Sequence, residues 1–207
     1  MKRVFIKTVL AAVALAAMGV ASAQDKTIKF ANQNAVGHPI VQGMEKFKEI
    51  VEKQSGGKIK VNVFPGGALG SDQANVSAIQ GGTLEMAAMN SGIFASQVKD
   101  FAVFDFPFMF ASGKEADVVV DGAFGKKMHS KLEEKGLVGL GYYELGFRHM
   151  SNSKRAINKV SDIDGLKLRV IPNPINVDWV KALGANPTPL PFPEVYAALE
   201  QKAVDGQ

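Results

Sequence analysis

The sequence predicts an α/β fold built on a largely parallel sheet. Short runs that alternate with period two are interleaved with runs whose apolar residues recur every three or four positions. Gly56-Gly57, Pro65-Gly66-Gly67 and Gly81-Gly82 punctuate these runs. From Lys26 to Met89 the order reads strand, helix, strand, helix, strand, which is the pattern of parallel strands joined by crossover helices.

Residues 26–30 (KTIKF) alternate and form the first predicted strand, followed by a small polar loop. Pro39 suits the first helical position, where its fixed φ and missing N–H cost nothing. Val41, Met44, Phe47, Ile50 and Val51 then follow at helical spacing until Gly56-Gly57. Ile59, Val61 and Val63 alternate with Lys58, Lys60 and Asn62 in a second strand. A helix is predicted over 71–80 and a buried apolar strand over 84–89. The aromatic run FAVFDFPFMF, 101–110, reads as core. One long helix is expected over 113–135 and a strand over 137–144.

A polar stretch, 152–159, and a short turn or helix, 161–165, lead into GLKLRVIPN, 165–173. Leu166, Leu168 and Val170 fall on one face of that strand, with Lys167, Arg169 and Ile171 on the other. Taken alone, this is a half-exposed strand with a charged outer face. A helix over 175–183 ends at Gly184. Pro187, Pro189 and Pro191 hold 186–191 extended. Pro193 opens a last helix with Glu194 in its first turn, where the helix dipole favours an anion, and with Val195, Ala198 and Leu199 on its inner stripe.

Residues 1–23 have the layout of a secretory signal peptide. Lys2, Arg3 and Lys7 precede an apolar run over 9–20, and Ala21-Ser22-Ala23 forms a small-residue cleavage site. The mature chain is expected to begin at Gln24, in a bacterial periplasm, and not to be embedded in a membrane. The apolar run is shorter than the roughly 20 residues a span needs. The chain has 24 basic and 20 acidic residues, and removing Lys2, Arg3 and Lys7 leaves 21 against 20. The basic character therefore belongs to the leader and gives no argument for a nucleic-acid or anionic membrane partner. The absence of cysteine excludes an acylated cysteine anchor, thiolate metal sites and thiol catalysis. It also fits a periplasmic protein better than a disulfide-dense extracellular module.

The chain has no G-x-S-x-G elbow, no H-E-x-x-H and no P-loop, and His38, His129 and His149 are scattered. His129 lies in a charged helical run and reads as surface. No catalytic set, metal site or cofactor is indicated. Beyond the leader, arginine is scarce: Arg148, Arg155 and Arg169. Arg169 closes a predicted strand, and Arg148 follows another by a few residues. Ligands of open α/β sheets bind outside the C-terminal ends of strands. Arginine offers a planar fork that holds a carboxylate at two points, which lysine cannot do. Arg155 has polar neighbours and reads as surface.

GLKLRV followed by ALGANPTPLPFPEVYAALEQKAVDGQ is a long and specific string. With PGGALGSDQANVSAIQGGTLEMA, FDFPFMF and GFRHMSNSKRAI, it resembles the substrate-binding proteins of tripartite ATP-independent periplasmic (TRAP) transporters over residues 26–207. The resemblance implies a two-domain periplasmic binding protein of the α/β class, with lobes at 24–145 and 146–207. It implies capture, without chemistry, of a small anionic solute, either a sugar acid or a C4-dicarboxylate, and its delivery to membrane permease subunits. Arg169 matches the position that forms a salt bridge with the solute carboxylate. Arg148 matches an assisting arginine and Phe192 an aromatic residue near the cleft. Gln33, Asn34, His38 and Asn90 match first-lobe positions that vary with substrate. Asn90 stands where members that bind sialic acid carry an acid, which disfavours that solute. The family continues past Gln207 with a Glu-Asn-Pro stretch and further elements. The fold is therefore expected to be incomplete at its C-terminus, with exposed edge and apolar surface that would hinder folding of this piece alone. Two other classes stay open: the receptor of an ATP-driven uptake system, and a secreted hydrolase or lyase using unmarked carboxylates.

Overall fold

The computed structural model describes residues 26–207. The predicted leader and its cleavage position lie outside them. The first sheet is assembled from β1 (Lys26–Ala31), α1 (Pro39–Gln54), β2 (Ile59–Phe64), α2 (Asp72–Gln80) and β3 (Met86–Ala87). β1 is central, with β2 and β3 parallel on either side, and Phe30 lies opposite both Val63 and Met86. The helical stripe read from sequence packs on this sheet except at Ile50, which is exposed: Val41 and Met44, joined by Ile40, bury against Phe30 and Val61. Phe47 meets the Phe30 ring edge-on at 5.6 Å. β3 is shorter than the predicted 84–89. The N–H groups of Thr83 and Leu84 turn back to the Ala78 carbonyl at the end of α2, which keeps them off the ladder.

Two 3₁₀ segments, Ser91–Ser96 and Lys99–Asp105, follow, then α3 (Gly113–Val120) and α4 (Ala123–Glu133). With α2 they enclose a second core of Val76, Ile93, Val98, Phe101, Met128, Leu132 and Leu137. Three expectations are corrected here. The aromatic run is core only at its start: Phe101 is buried, but Phe106, Phe108 and Met109 are exposed. Phe106 precedes Pro107, takes the extended conformation that proline imposes and ends the 3₁₀ segment there. The single long helix is two helices, broken at Asp121-Gly122 with Gly122 extended as the cap of α4. Three consecutive valines followed by Asp121-Gly122 make poor helix at the break.

The third correction is larger. Residues 137–144 form no strand, and Val138, Leu140, Tyr143, Leu145 and Phe147 are exposed. Among the described residues no neighbouring strand lies alongside, and a strand exists only where its backbone groups find partners. Side chains hold the run instead. The Tyr142 ring stacks on His129 with centroids 4.5 Å apart, and its hydroxyl donates to the Gly125 carbonyl at 3.3 Å. Burial pushes the Tyr142 pKa up to about 12. His129 is consequently half-buried under a tyrosine, not a surface residue.

The second sheet contains β4 (Lys167–Val170), α5 (Pro174–Ala182) and β5 (Asn186–Pro189), preceded by a 3₁₀ turn at Val160–Asp162. β5 lies parallel to β4. The amides of Asn186 and Leu190 donate to Leu166 and Val170. Pro187 and Pro189 fall on the alternate positions, where no donor toward β4 is required, which suits an edge strand. The final residues cover the other edge of β4. Gly206 bridges both Asn152 and Leu168, and the Arg169 N–H donates to the Gly206 carbonyl at 2.8 Å. Ile163, Leu166, Leu168, Val170, Val180 and Ala185 form the third core. β4 is not half-exposed as its alternation suggested: Arg169 and Ile171 are buried too, and Ile171 joins the second core beside Ile93 and Phe101. The last helix starts as a 3₁₀ turn, Phe192–Glu194, and continues as α6 (Val195–Glu200), with only Val195 buried. Among the described residues no helix is long and apolar enough to cross a membrane.

Candidate solute-binding site

Arg169 is the third residue of β4 and is only 6% exposed. Its backbone is fixed by β5 on one side and Gly206 on the other. Its Nε donates to the Leu190 carbonyl at 3.0 Å, and the guanidinium carbon stands 5.8 Å from the centre of the Phe192 ring. Burial, and secondly the positive charge of Arg148, push its pKa down to about 10, against the pull of Asp72. It remains a cation at neutral pH. Among the described residues no carboxylate forms a salt bridge with it, and its two terminal amino groups, Nη1 and Nη2, donate to none of them. A buried cation without a paired anion is costly unless its neighbourhood compensates.

Two carboxylates stand in this region, and Asp72 supplies part of that compensation. Asp72, at the start of α2, is buried, and its Oδ2 accepts from the Asn90 N–H at 3.2 Å. Its Oδ1 is buried with no hydrogen-bond partner among the described residues. Burial raises its pKa, opposed by the Gln33 amide, the Asn90 N–H and Arg169. Gln33 also accepts from the Phe192 N–H at 3.2 Å, so it links the first sheet to the aromatic wall beside Arg169. Asn90 caps the Ser91–Ser96 segment through its Oδ1, which accepts from Gly92 at 2.9 Å.

Asp105 is the second carboxylate. Its Oδ2 accepts from Asn173 Nδ2 at 3.0 Å and its Oδ1 from Asn176 Nδ2 at 3.1 Å. Burial raises its pKa, opposed by these amides and by Arg148. Asn173 caps α5 by accepting from the Asn176 N–H, and Asn176 Oδ1 accepts from the Trp179 indole at 3.0 Å. A side chain at Gly92 would collide with the Asp105 carboxylate and lie 2.7 Å from Asn173 Nδ2.

Of the residues singled out from sequence, Arg169, Phe192, Gln33 and Asn90 come together. Arg148 is exposed and reaches the group through its charge. His38 lies apart: its Nδ1 caps α1 by accepting from Ile40 at 3.2 Å. Asn34 acts through its backbone, with its N–H on Asn32 Oδ1 and its carbonyl accepting from Gly66. Arg155 is exposed, donating to the Asp162 and Asp164 carbonyls. Sequence reasoning missed Asp72, Asp105, Asn173 and Asn176. Asp72 and Asn173 looked like ordinary helix starts, and Asp105 was hidden inside an aromatic run. Among the described residues no cluster of His, Cys, Asp and Glu could hold a metal ion.

The assembly offers a buried cationic fork, an aromatic face and surrounding amides, an arrangement for holding an anion. The family model of bacterial extracellular solute-binding proteins, family 7, matches residues 30–207. The chain belongs to this family. A TRAP periplasmic solute-binding protein from Ochrobactrum anthropi, with its C-terminus bound in its ligand-binding pocket, is 52% identical with a TM-score of 0.75, covering 88% of this chain and 57% of that one. The sugar-acid-binding protein of Advenella mimigardefordensis, in complex with galactonate, is 44% identical with a TM-score of 0.86, covering 87% and 58%. The C4-dicarboxylate-binding periplasmic protein of Rhodobacter capsulatus is 36% identical over 196 residues, 94% of this chain and 59% of that one. This chain therefore spans less than three fifths of the length of these family members. Its two-sheet α/β architecture is that of TRAP solute receptors, as the resemblance of its sequence implied.

Proposed function

We propose that this protein is the solute-capturing component of a TRAP uptake system in the periplasm. It takes a small carboxylate solute, a sugar acid or a C4-dicarboxylate, into a cleft between lobes at 24–145 and 146–207. There the carboxylate pairs with Arg169, and the closed, loaded protein delivers it to the membrane permease subunits without altering it. The buried Arg169 guanidinium, anchored through Nε and flanked by Phe192, carries this reading. Arg148 adds positive potential. Gln33 and Asn90 belong to the wall that distinguishes one solute from another. Closure lowers the local dielectric and strengthens the ion pair, provided that its geometry offsets desolvation. The galactonate-bound and C4-dicarboxylate-binding relatives support this solute class.

Calorimetry of the full-length protein with galactonate and succinate tests the reading, preceded by a thermal-shift screen that includes neutral sugars. Removing one partner of a buried charge pair costs about 2–5 kcal/mol, so Arg169→Ala is expected to weaken binding at least ~30-fold. Arg169→Lys also loses affinity, because a point charge cannot replace the fork. Arg148→Ala costs about 3–5-fold, as befits an exposed charge. Unchanged affinity in both Arg169 variants removes Arg169 from the centre of the mechanism. Stabilisation by neutral sugars alone moves the ATP-driven receptor to first place.

A further inference from the structure

The turn between β4 and α5 belongs to the second sheet by sequence but is held by the second core and by the 3₁₀ segment that ends at Asp105. Ile171, two residues after Arg169, is buried among Val76, Ile93 and Phe101. Asn173 and Asn176, both buried, give their side-chain amides to the two oxygens of Asp105. Asp105 closes the Lys99–Asp105 segment, and Gly92 is bare where the carboxylate passes. Each donor and acceptor in the set has a defined role. The carboxylate accepts twice, the two amides donate, and their carbonyl oxygens serve the Asn176 N–H and the Trp179 indole.

We infer that Asp105 is a positioning residue for solute capture: its carboxylate ties the turn that follows Arg169 to the Lys99–Asp105 segment of the second core, so that seating this turn and presenting the Arg169 fork are one event. The inference rests on the proposed role of Arg169 in binding. Asp105 does not touch Arg169. It acts through Asn173 and the short backbone segment that joins them. Fixing a buried turn with two hydrogen bonds to a charged acceptor removes freedom that would otherwise be lost on binding. The positive charge of Arg148 acts on both Asp105 and Arg169.

The test is a polarity swap in the full-length protein. Asp105→Asn keeps the shape but puts an amide donor against two amide donors, and one contact must break. The double variant Asp105→Asn/Asn176→Asp restores the complement. The amide at 105 donates to the carboxylate at 176, its carbonyl accepts from Asn173, and the Trp179 indole keeps an acceptor. Trp179, the single tryptophan of the 207-residue sequence, reports on the network by its emission. Asp105→Asn is expected to shift Trp179 emission and weaken galactonate binding about tenfold, with both restored to within about threefold by the swap. A shifted emission with unchanged galactonate affinity overturns the inference, and so does an affinity loss that the swap leaves in place. If galactonate binds no form, including wild type, that solute assignment has failed. The inference is then read from hydrogen exchange over residues 169–176. Protection must fall in Asp105→Asn and return in the swap, and protection unaltered by Asp105→Asn overturns it.

Discussion

β4 and residues 137–147 are both short, β-prone runs, with Arg169 near the end of the first and Arg148 directly after the second, yet one is the most enclosed strand of its sheet and the other is no strand at all. β4 has β5 on one edge and residues 205–206 on the other, and Leu168 and Arg169 are buried between them. Past Leu137, which is buried in the second core, Tyr142 and Tyr143 fasten the 137–147 run. Tyr142 lies on His129, and Tyr143 lies where a side chain at Gly43 would stand, 2.7 Å away. The difference extends to the arginines. A ladder on both edges lets Arg169 be buried with its carbon stem shielded and its Nε satisfied. Without a ladder, Arg148 stays in water. Sequence pattern sets which residues can face a core, whereas pairing decides whether a cation can be placed inside one.

Hydrogen exchange should show the contrast most strongly. Among the described residues, the amides of 138–150 make no hydrogen bond to backbone or side chain, whereas those of β4 lie within a paired sheet. In this chain the β4 amides are expected to exchange more slowly by at least on the order of a thousandfold. Comparable protection in the two segments would mean that 137–147 is paired in solution, and the distinction between the two runs would collapse.

The same distinction explains what could be read from the sequence. β1, β2, α1, α5 and the extended proline strand were legible because each is fixed by local rules: alternation, helical spacing, Pro39 at a helix start, Gly184 at a helix end. Their boundaries fall within a residue or two of the reading. The break at Gly122 was written in Val118-Val119-Val120 but outweighed by the amphipathic pattern around it. The failure at 137–144 was not local, because pairing partners leave no mark on a run. Arg169 was visible by its rarity and its place at a strand end. Asp72 and Asp105 were not, since a carboxylate in a helical first turn or among phenylalanines shows nothing of what faces it across a fold.

A methyl-sized change separates the two regions by stability. At Gly92 an added Cβ collides with Asp105 and crowds Asn173, so Gly92→Ala is expected to destabilise by about 1–3 kcal/mol. At Gly141, within the unpaired run, an added Cβ meets nothing within 4 Å, and Gly141→Ala should stay within about 0.5 kcal/mol of wild type. Chemical denaturation of both variants measures this. A mild effect at Gly92 would show that the Asp105 network yields easily and would weaken the contrast from the rigid side.

The smallest expected effect concerns the charge of Asp72. Its pKa is raised, chiefly by burial, from an ordinary value of 3.8. In the window between that value and the folded one, the folded protein holds more protons than the unfolded chain. Asp72 therefore makes stability fall as pH rises through the window. Asp105 acts with the same sign, while Asp205, held low first by the Lys167 N–H, acts oppositely and loses its contribution as pH falls. Only the difference between variant and wild type isolates Asp72. Asp72→Asn removes the buried charge without changing shape, so in the solute-free protein it should be more stable than wild type at pH 7. That gain should close as the pH falls below 3.8, where the wild-type carboxyl becomes neutral in both states. Denaturation midpoints at several pH values read it directly. A pH-independent difference would assign the effect to lost hydrogen bonds, and a loss of stability at pH 7 would mean that Asp72 is held chiefly as the counter-charge of Arg169, with its burial already compensated.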